Sequence, residues 1–301
     1  MPEFTKQDGR PIHYDVQGSS DLAAIVLIEG LSAHLLGWRN EFCRYFLDAG
    51  YRVVRFDNRD VGLSARYPDR EYDLRDMADD VHELIRHLGI APAHIVGQSM
   101  GGMIAQQLVL RYPTDVASMS LLYTSGATRH LNLAARGPEA LASIPRALTR
   151  AEAIEFHVQQ ERWCASTSFS FDQAWKSELG GLMWDRGYDP DGVARQLTAV
   201  LHTPMDVRGL SSVAAPTLIV HGTGDALISH IASVELNEAI PDSELWIVEG
   251  MGHDLPRELW GDLTSRILDN AGRAQSPHHS GVQRPPRPSA ERSSHRRESA
   301  T

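Results

Sequence analysis

Six apolar runs recur along the chain: "AAIVLIEG" (23–30), "YRVVRFD" (51–57), "HIVG" (94–97), "SMSLLYTS" (118–125), "PTLIVHG" (216–222) and "ELWIVEG" (244–250). Within most of them hydrophobic residues follow one another instead of alternating with polar ones. That continuity predicts strands buried on both faces, as in a parallel sheet covered by helices. Between the second and third runs, "DLRDMADDVHELIRHLG" places Leu74, Met77, Ala78, Val81, Leu84, Ile85 and Leu88 on one helical stripe, and Gly89 can end the helix. Strand-helix-strand repeats connect by right-handed crossovers, so the pattern predicts an open α/β sheet.

The rhythm breaks between about residues 130 and 208, where helical stretches rich in Trp, Phe and Ala contain no convincing strand before "APTLIVHG" returns. The expected organisation is a core in two parts, 1–129 and 209–271, with a helical cap insertion over 130–208. Residues 272–301 hold almost no large apolar side chain and are rich in Ser, Pro and Arg, the composition of a disordered tail. This tail sets Arg273, Arg284, Arg287, Arg292, Arg296 and Arg297 against Glu291 and Glu298, so the body before it is more acidic than the net charge of −10.

That acidity disfavours nucleic acid as a partner, because phosphate binding needs a clustered basic surface. With 42% hydrophobic and 23% charged residues, the chain has ordinary globular composition. No stretch reaches the roughly 18 uninterrupted apolar residues of a membrane span. The opening "MPEFTKQDGRPIHYDVQG" is polar and acidic rather than basic and then apolar, so no secretory signal is read and a cytoplasmic location is expected. Cys43 and Cys164 stand far apart without a metal-ligand pattern, which argues against a disulfide framework and a structural zinc site.

The chemistry concentrates at "HIVGQSMGGMIAQQLV", where a strand meets a helix. Gly97-Gln98-Ser99-Met100-Gly101 spells G-x-S-x-G, the nucleophile elbow that exposes a serine hydroxyl at a strained turn. Glycine is expected at Gly97 and Gly101 because neighbouring backbone would meet a Cβ at either position. In a parallel sheet ligands bind at the carboxyl ends of strands, where Ser99 stands. A serine hydroxyl needs a base and an acid that orients the base. Asp225 in "LIVHGTGDALIS" and His253 in "WIVEGMGHDLP" follow the last two strands, in the chain order Ser, Asp, His that belongs to this arrangement. Asp254 competes with Asp225 in principle, but a residue adjacent to the histidine reaches its Nδ1 poorly. The backbone N–H groups of Met100 and of Leu31, in "LIEGLSAHLLGW", are the expected oxyanion hole.

Taken together, these features resemble an α/β-hydrolase-fold serine hydrolase over about residues 3 to 271. Within that superfamily, "EGLSAHLLGWRNEFCRYFLDAGYRVVRFDNRDVGLS" and "VGQSMGGMIAQ" are similar to a bacterial group that includes aclacinomycin methylesterase and related carboxylesterases or lipases. The resemblance implies a mostly parallel central sheet flanked by helices, with Ser99 as nucleophile, His253 as base, Asp225 as acid, Leu31 and Met100 as oxyanion donors, and no metal or organic cofactor. Common relatives carry His-Gly or Met-Gly where this chain has Glu29-Gly30, so Glu29 is expected to point away from the anion. Serine at the elbow argues against haloalkane dehalogenase and epoxide hydrolase chemistry, which needs a carboxylate nucleophile. A bracing role is expected for Asp57 and Arg59 in "DNRDVGLS".

The cap holds Trp163, Phe169, Phe171, Trp175, Trp184 and Tyr188, with Trp163, Trp175 and Trp184 as pocket candidates for an apolar or bulky ester. Two alternatives keep this sequence: cleavage of a C–C bond in a ring-fission product or perhydrolysis, with Arg129, Arg136, Arg146 or Arg162 holding a charged substrate in the ring-fission case, and a non-catalytic ligand-binding protein. Sequence alone sets neither the substrate nor the oligomeric state.

Overall fold

The computed structural model describes residues 2–132 and 146–275. Eight strands form one sheet in the order β1-β2-β4-β3-β5-β6-β7-β8. They are β1 (Glu3–Thr5), β2 (Pro11–Gln17), β3 (Ala24–Ile28), β4 (Arg52–Phe56), β5 (Ala93–Gln98), β6 (Val116–Leu122), β7 (Thr217–Gly222) and β8 (Ser243–Val248). From β4 through β8 the sheet is parallel, and β1 and β2 add an antiparallel edge. Each of the six apolar runs forms one of the parallel strands. The β1–β2 hairpin is an addition, formed by the polar N-terminal stretch around a turn at Gly9 (φ 81°).

The continuous hydrophobicity of β3 has a direct cause. All five residues are buried, but alternate ones belong to different cores: Val26 and Ile28 pack on one face, Ile25 and Leu27 on the other. On the first face lie α2 (Leu74–Leu88), α3 (Met100–Arg111) and α7 (Ile231–Ala239). On the second lie α1 (Asn40–Asp48), through Phe42, Cys43 and Phe46, and α8 (Trp260–Gln275), through Leu263 and Ile267. Both cysteines are buried, and neither forms a disulfide among the described residues. α2 covers the predicted stripe, opens on a capping box between Asp73 and Asp76, and closes at Gly89 in the left-handed region (φ 63°).

Within the segment that breaks the strand rhythm, α4 (Arg150–Cys164), α5 (Gln173–Asp185) and α6 (Pro190–His202) follow one another. The Gln196 amide of α6 donates to the Arg59 carbonyl (2.7 Å) and accepts from the Ser32 N–H (3.0 Å). Arg186 and Arg195 pair with Asp57 and Asp60. Ser32, Asp57, Arg59 and Asp60 sit in loops that follow β3 and β4, so these helices lie across the carboxyl edge of the sheet. The stretch 133–145 of the expected insertion, with Arg136, lies outside the described residues. Helix α8 continues to Gln275, so the expected tail boundary at residue 272 falls inside a helix, because Ile267 and Ala271 still have a core to cover. The rest of that tail lies outside the described residues.

Candidate active site

β5 ends at Gln98 and α3 begins at Met100, leaving Ser99 alone in the turn at φ 53° and ψ −121°. A non-glycine residue in this region costs on the order of 1–3 kcal/mol and is held there by its surroundings. The Ser99 N–H donates to the Leu122 carbonyl (2.9 Å), and its carbonyl accepts from the Thr124 hydroxyl (2.6 Å) and the Gly102 N–H (3.0 Å). A Cβ at Gly97 would run into the Gly101 carbonyl, and one at Gly101 into the Ile28 carbonyl. The glycines thus permit the close approach of α3 to β3 and β5 that raises the serine.

His253 and Asp225 reach this serine from the loops after β8 and β7. His253 Nε2 lies 2.8 Å from Ser99 Oγ, and Nδ1 lies 2.7 Å from Asp225 Oδ2. A proton on Nδ1, facing the carboxylate, leaves Nε2 free to accept from the hydroxyl. Asp225 Oδ1 accepts the Leu227 and Ile228 N–H groups, both at 2.8 Å. Burial alone would raise its pKa; His253 and a hydrogen bond from His221 outweigh burial and hold it below the ordinary carboxylate range. It is therefore ionised across the working pH of any ordinary enzyme.

His221 was not singled out in the sequence. Its Nε2 lies 3.1 Å from both Asp225 Oδ2 and the Ile228 carbonyl, which places a proton there, and Nδ1 accepts from Ser233 Oγ at 2.7 Å. The signal was its position in "LIVHGTGD", four residues ahead of the carboxylate. Asp254 is engaged elsewhere: its Oδ1 accepts from the Ser166 N–H (3.0 Å) and hydroxyl. Ser166 Oγ accepts the Gly252 N–H (2.8 Å), and the His253 N–H donates to the Cys164 carbonyl (2.8 Å). The end of α4 and the residues after it thereby clip the histidine loop from above.

Around the serine, the N–H groups of Leu31 and Met100 donate to no acceptor among the described residues. Gly30 brings the Leu31 loop against the elbow, since a Cβ there would stand 3.3 Å from Ser99 Cβ. Glu29 departs from expectation in part. Its carboxyl group leaves the Leu31 N–H alone, but it stays fully buried in the wall of the site, where Oε2 accepts from the Gly30 N–H (3.2 Å) and from the Gln98 amide. Gln98 in turn accepts from the Tyr123 hydroxyl, whose ring stands edge-on to His253. Burial pushes the Glu29 pKa up to about 7, with the Gln98 and Gly30 hydrogen bonds opposing it.

The "DNRDVGLS" loop braces the site. Asp57 accepts the Leu35 and Leu63 N–H groups, each at 2.9 Å, and pairs with Arg186 (2.5 Å). Arg59 reaches back to Asp80 on α2 at 2.6 Å.

A cavity of about 830 Å³ opens on Ser99 and His253. From α4 it is lined by Ala153, Phe156, His157, Gln160, Glu161 and Cys164, one helical stripe. Trp163 falls off that stripe and does not line the cavity, and Phe169 packs against the core instead. Trp175, Trp184, Phe171 and Tyr188 do line it. Arg129 pairs with Glu235 and Arg146 with Asp191, Arg162 donates to Gln173, and none of the three lines the cavity.

Residues 23–141 match a family model described as the alpha/beta hydrolase fold. A protein of Variovorax paradoxus named as a carbamate hydrolase, RutD, is 29% identical over 89% of this chain and 98% of its own length. Rhodomycin D methylesterase DauP of a Streptomyces species is 24% identical over 81% of this chain and 89% of its own. Among solved structures, a thermophilic esterase from Thermogutta terrifontis superposes with a TM-score of 0.73 at 21% identity, covering 91% of this chain and 99% of the other.

Proposed function

On the footing that this chain has the α/β-hydrolase fold, we propose that it is a serine hydrolase of carboxylic esters acting through an acyl-enzyme. One observation carries the reading: a hydrogen-bonded row from Ser99 through His253 to Asp225, beside two amides that meet no acceptor among the described residues and at the floor of a large, partly aromatic cavity. Ser99 attacks the ester carbonyl as His253 takes its proton, and the Leu31 and Met100 amides hold the oxyanion. His253 then protonates the leaving alcohol. A water deprotonated by the same histidine attacks the acyl-enzyme and releases the acid. Helices α4 to α6 are the cap in this reading, and Trp175 and Trp184 contact the apolar part of the ester. The name of the Variovorax relative favours a second carbonyl substrate, a carbamate, on the same residues.

Hydrolysis of p-nitrophenyl acetate, butyrate, octanoate and palmitate, measured for the intact protein and for Ser99→Ala, tests the reading. Loss of about 10³-fold or more in kcat with an unchanged circular dichroism spectrum is the expected outcome. Asp225→Asn should fall by a comparable factor, because the histidine then loses its orienting anion. A folded protein that hydrolyses none of the four, or a Ser99→Ala variant as active as its parent, overturns it.

A further inference from the structure

An ion pair stands inside the cavity. Glu161 on α4 and Lys176 on α5 are hydrogen-bonded to each other, and both line the same cavity as Ser99. Their side chains keep 29% and 20% of their area open. Burial works to neutralise each, yet each holds its partner charged: Lys176 keeps a raised pKa and Glu161 a lowered one.

A pair that only fastened α4 to α5 would be cheaper at the outer surface, where water solvates it. Here the pair is also left incomplete. An ammonium has three N–H donors, and the carboxylate Oε2 is the sole hydrogen-bond acceptor that Lys176 Nζ meets among the described residues. Glu161 Oε1 meets no donor among them. Spare donors and a spare acceptor therefore stand side by side in a wall that is otherwise largely apolar, with no net charge between them. Glu29, Asp254 and His157 are within their electrostatic reach, and the first two disfavour a further anion.

We propose that Glu161 and Lys176 form a specificity subsite for a neutral group that both donates and accepts hydrogen bonds, a carboxamide or carbamoyl group, carried by the ester substrate. Its N–H donates to Glu161 and its C=O accepts from Lys176. A plain alkyl chain leaves both unmatched, and a carboxylate or an ammonium is repelled by one member of the pair as it is drawn to the other. This rests on the ester-hydrolase reading above and deepens it by naming a feature of the substrate.

The test measures binding to the Ser99→Ala protein, which needs no turnover, by quenching of its tryptophan fluorescence. The ligands are methyl hexanoate, methyl glutaramate, monomethyl glutarate and methyl 5-aminopentanoate, with 3-carbamoylpropyl acetate carrying the amide on the alcohol side. At least one amide ligand should bind about tenfold more tightly than the alkyl ester, and the two charged ligands no better than it. Adding Glu161→Gln should shift preference to the carboxylate ligand, and adding Lys176→Met should shift it to the ammonium ligand. Equal binding of amide and alkyl ligands overturns the proposal, as does an equal loss for all ligands in both variants, the mark of a purely structural pair. Turnover of the same esters by the intact protein is followed in parallel: amide-selective binding without hydrolysis defeats the esterase reading and leaves the subsite standing, whereas hydrolysis without selectivity does the reverse.

Discussion

A fully buried carboxyl group in the wall of the cavity is an uncommon choice, and Glu29 makes it measurable. Its pKa, pushed up to about 7 from 4.5, means that the folded protein holds this proton more tightly than the unfolded chain does. Stability from this group is complete below about pH 4.5 and is lost as pH rises through about 7. Each pKa unit corresponds to about 1.4 kcal/mol, so the loss by pH 8 is up to about 3 kcal/mol. Glu29→Gln, which keeps an oxygen for the Gly30 N–H, should therefore be more stable than its parent at pH 8 and no more stable at pH 4.5. Urea unfolding at both pH values checks this; a difference that does not change with pH refutes it. That Ser99, Asp225 and His253 come together could be read from the sequence because each follows a recognisable strand and their order along the chain is informative. The side-chain direction of Glu29 could not, since it depends on Gln98 arriving from β5, and neither could the pairing of Glu161 with Lys176, which needs α4 and α5 to be docked. His221 was hidden by the strand it belongs to, where a histidine reads as filler.

Elements are joined through side chains as well as strands. Lys6, from the hairpin edge, and Arg59, from the loop after β4, meet on Asp80 of α2 at 2.5 and 2.6 Å, with the three side chains only 2%, 3% and 5% exposed for Lys6, Arg59 and Asp80. Removing the shared anion leaves buried Arg59 with no carboxylate partner among the described residues and buried Lys6 with only the longer contact to Asp8 at 3.5 Å. Asp80→Ala should cost about 3–5 kcal/mol. Asp185→Ala, which breaks an exposed pair with Arg150, should leave the unfolding midpoint where it was. Calorimetry of the two variants makes the comparison, and similar midpoints would refute it. The extent of α2 was legible because its apolar stripe and its closing glycine agreed, whereas the parallel strands were legible as runs but not to the residue: β6 spans Val116–Leu122 where the apolar run suggested 118–125. The β1–β2 edge was not legible, because its pairing partner β4 is distant in sequence and its residues are mostly polar.

At the scale of the molecule, one sheet divides two cores that share no buried side chain among the described residues, so the question is whether they unfold together. Ile25 and Val26 are neighbours in β3 that face opposite ways. Ile25→Ala should cost about 2–5 kcal/mol and Val26→Ala somewhat less, and both should lower a single transition, since either core exposes the same strand when it opens. Circular dichroism and tryptophan fluorescence would report coincident curves; separated midpoints in either variant would show two independent units. The open α/β architecture was legible because those two cores demand uninterrupted apolar strands. Helices α4 to α6 were legible only as an interruption of the strand rhythm, since the stripe that α4 turns to the cavity mixes Ala153 and Phe156 with His157, Gln160 and Glu161 and so carries no apolar period.

The clip between the histidine loop and the chain after α4 bears on how such helical segments can be exchanged. Cys164 and Ser166 belong to the inserted stretch, yet they hold the backbone N–H groups of His253 and Gly252 and the side-chain carboxylate of Asp254. A chimera that replaces residues 130–208 wholesale with the corresponding segment of a relative would import a new cavity wall and discard the hydrogen bonds that seat the His253 loop. The exchangeable unit therefore excludes residues 164–166, and recombination between relatives should conserve activity when its crossovers spare them.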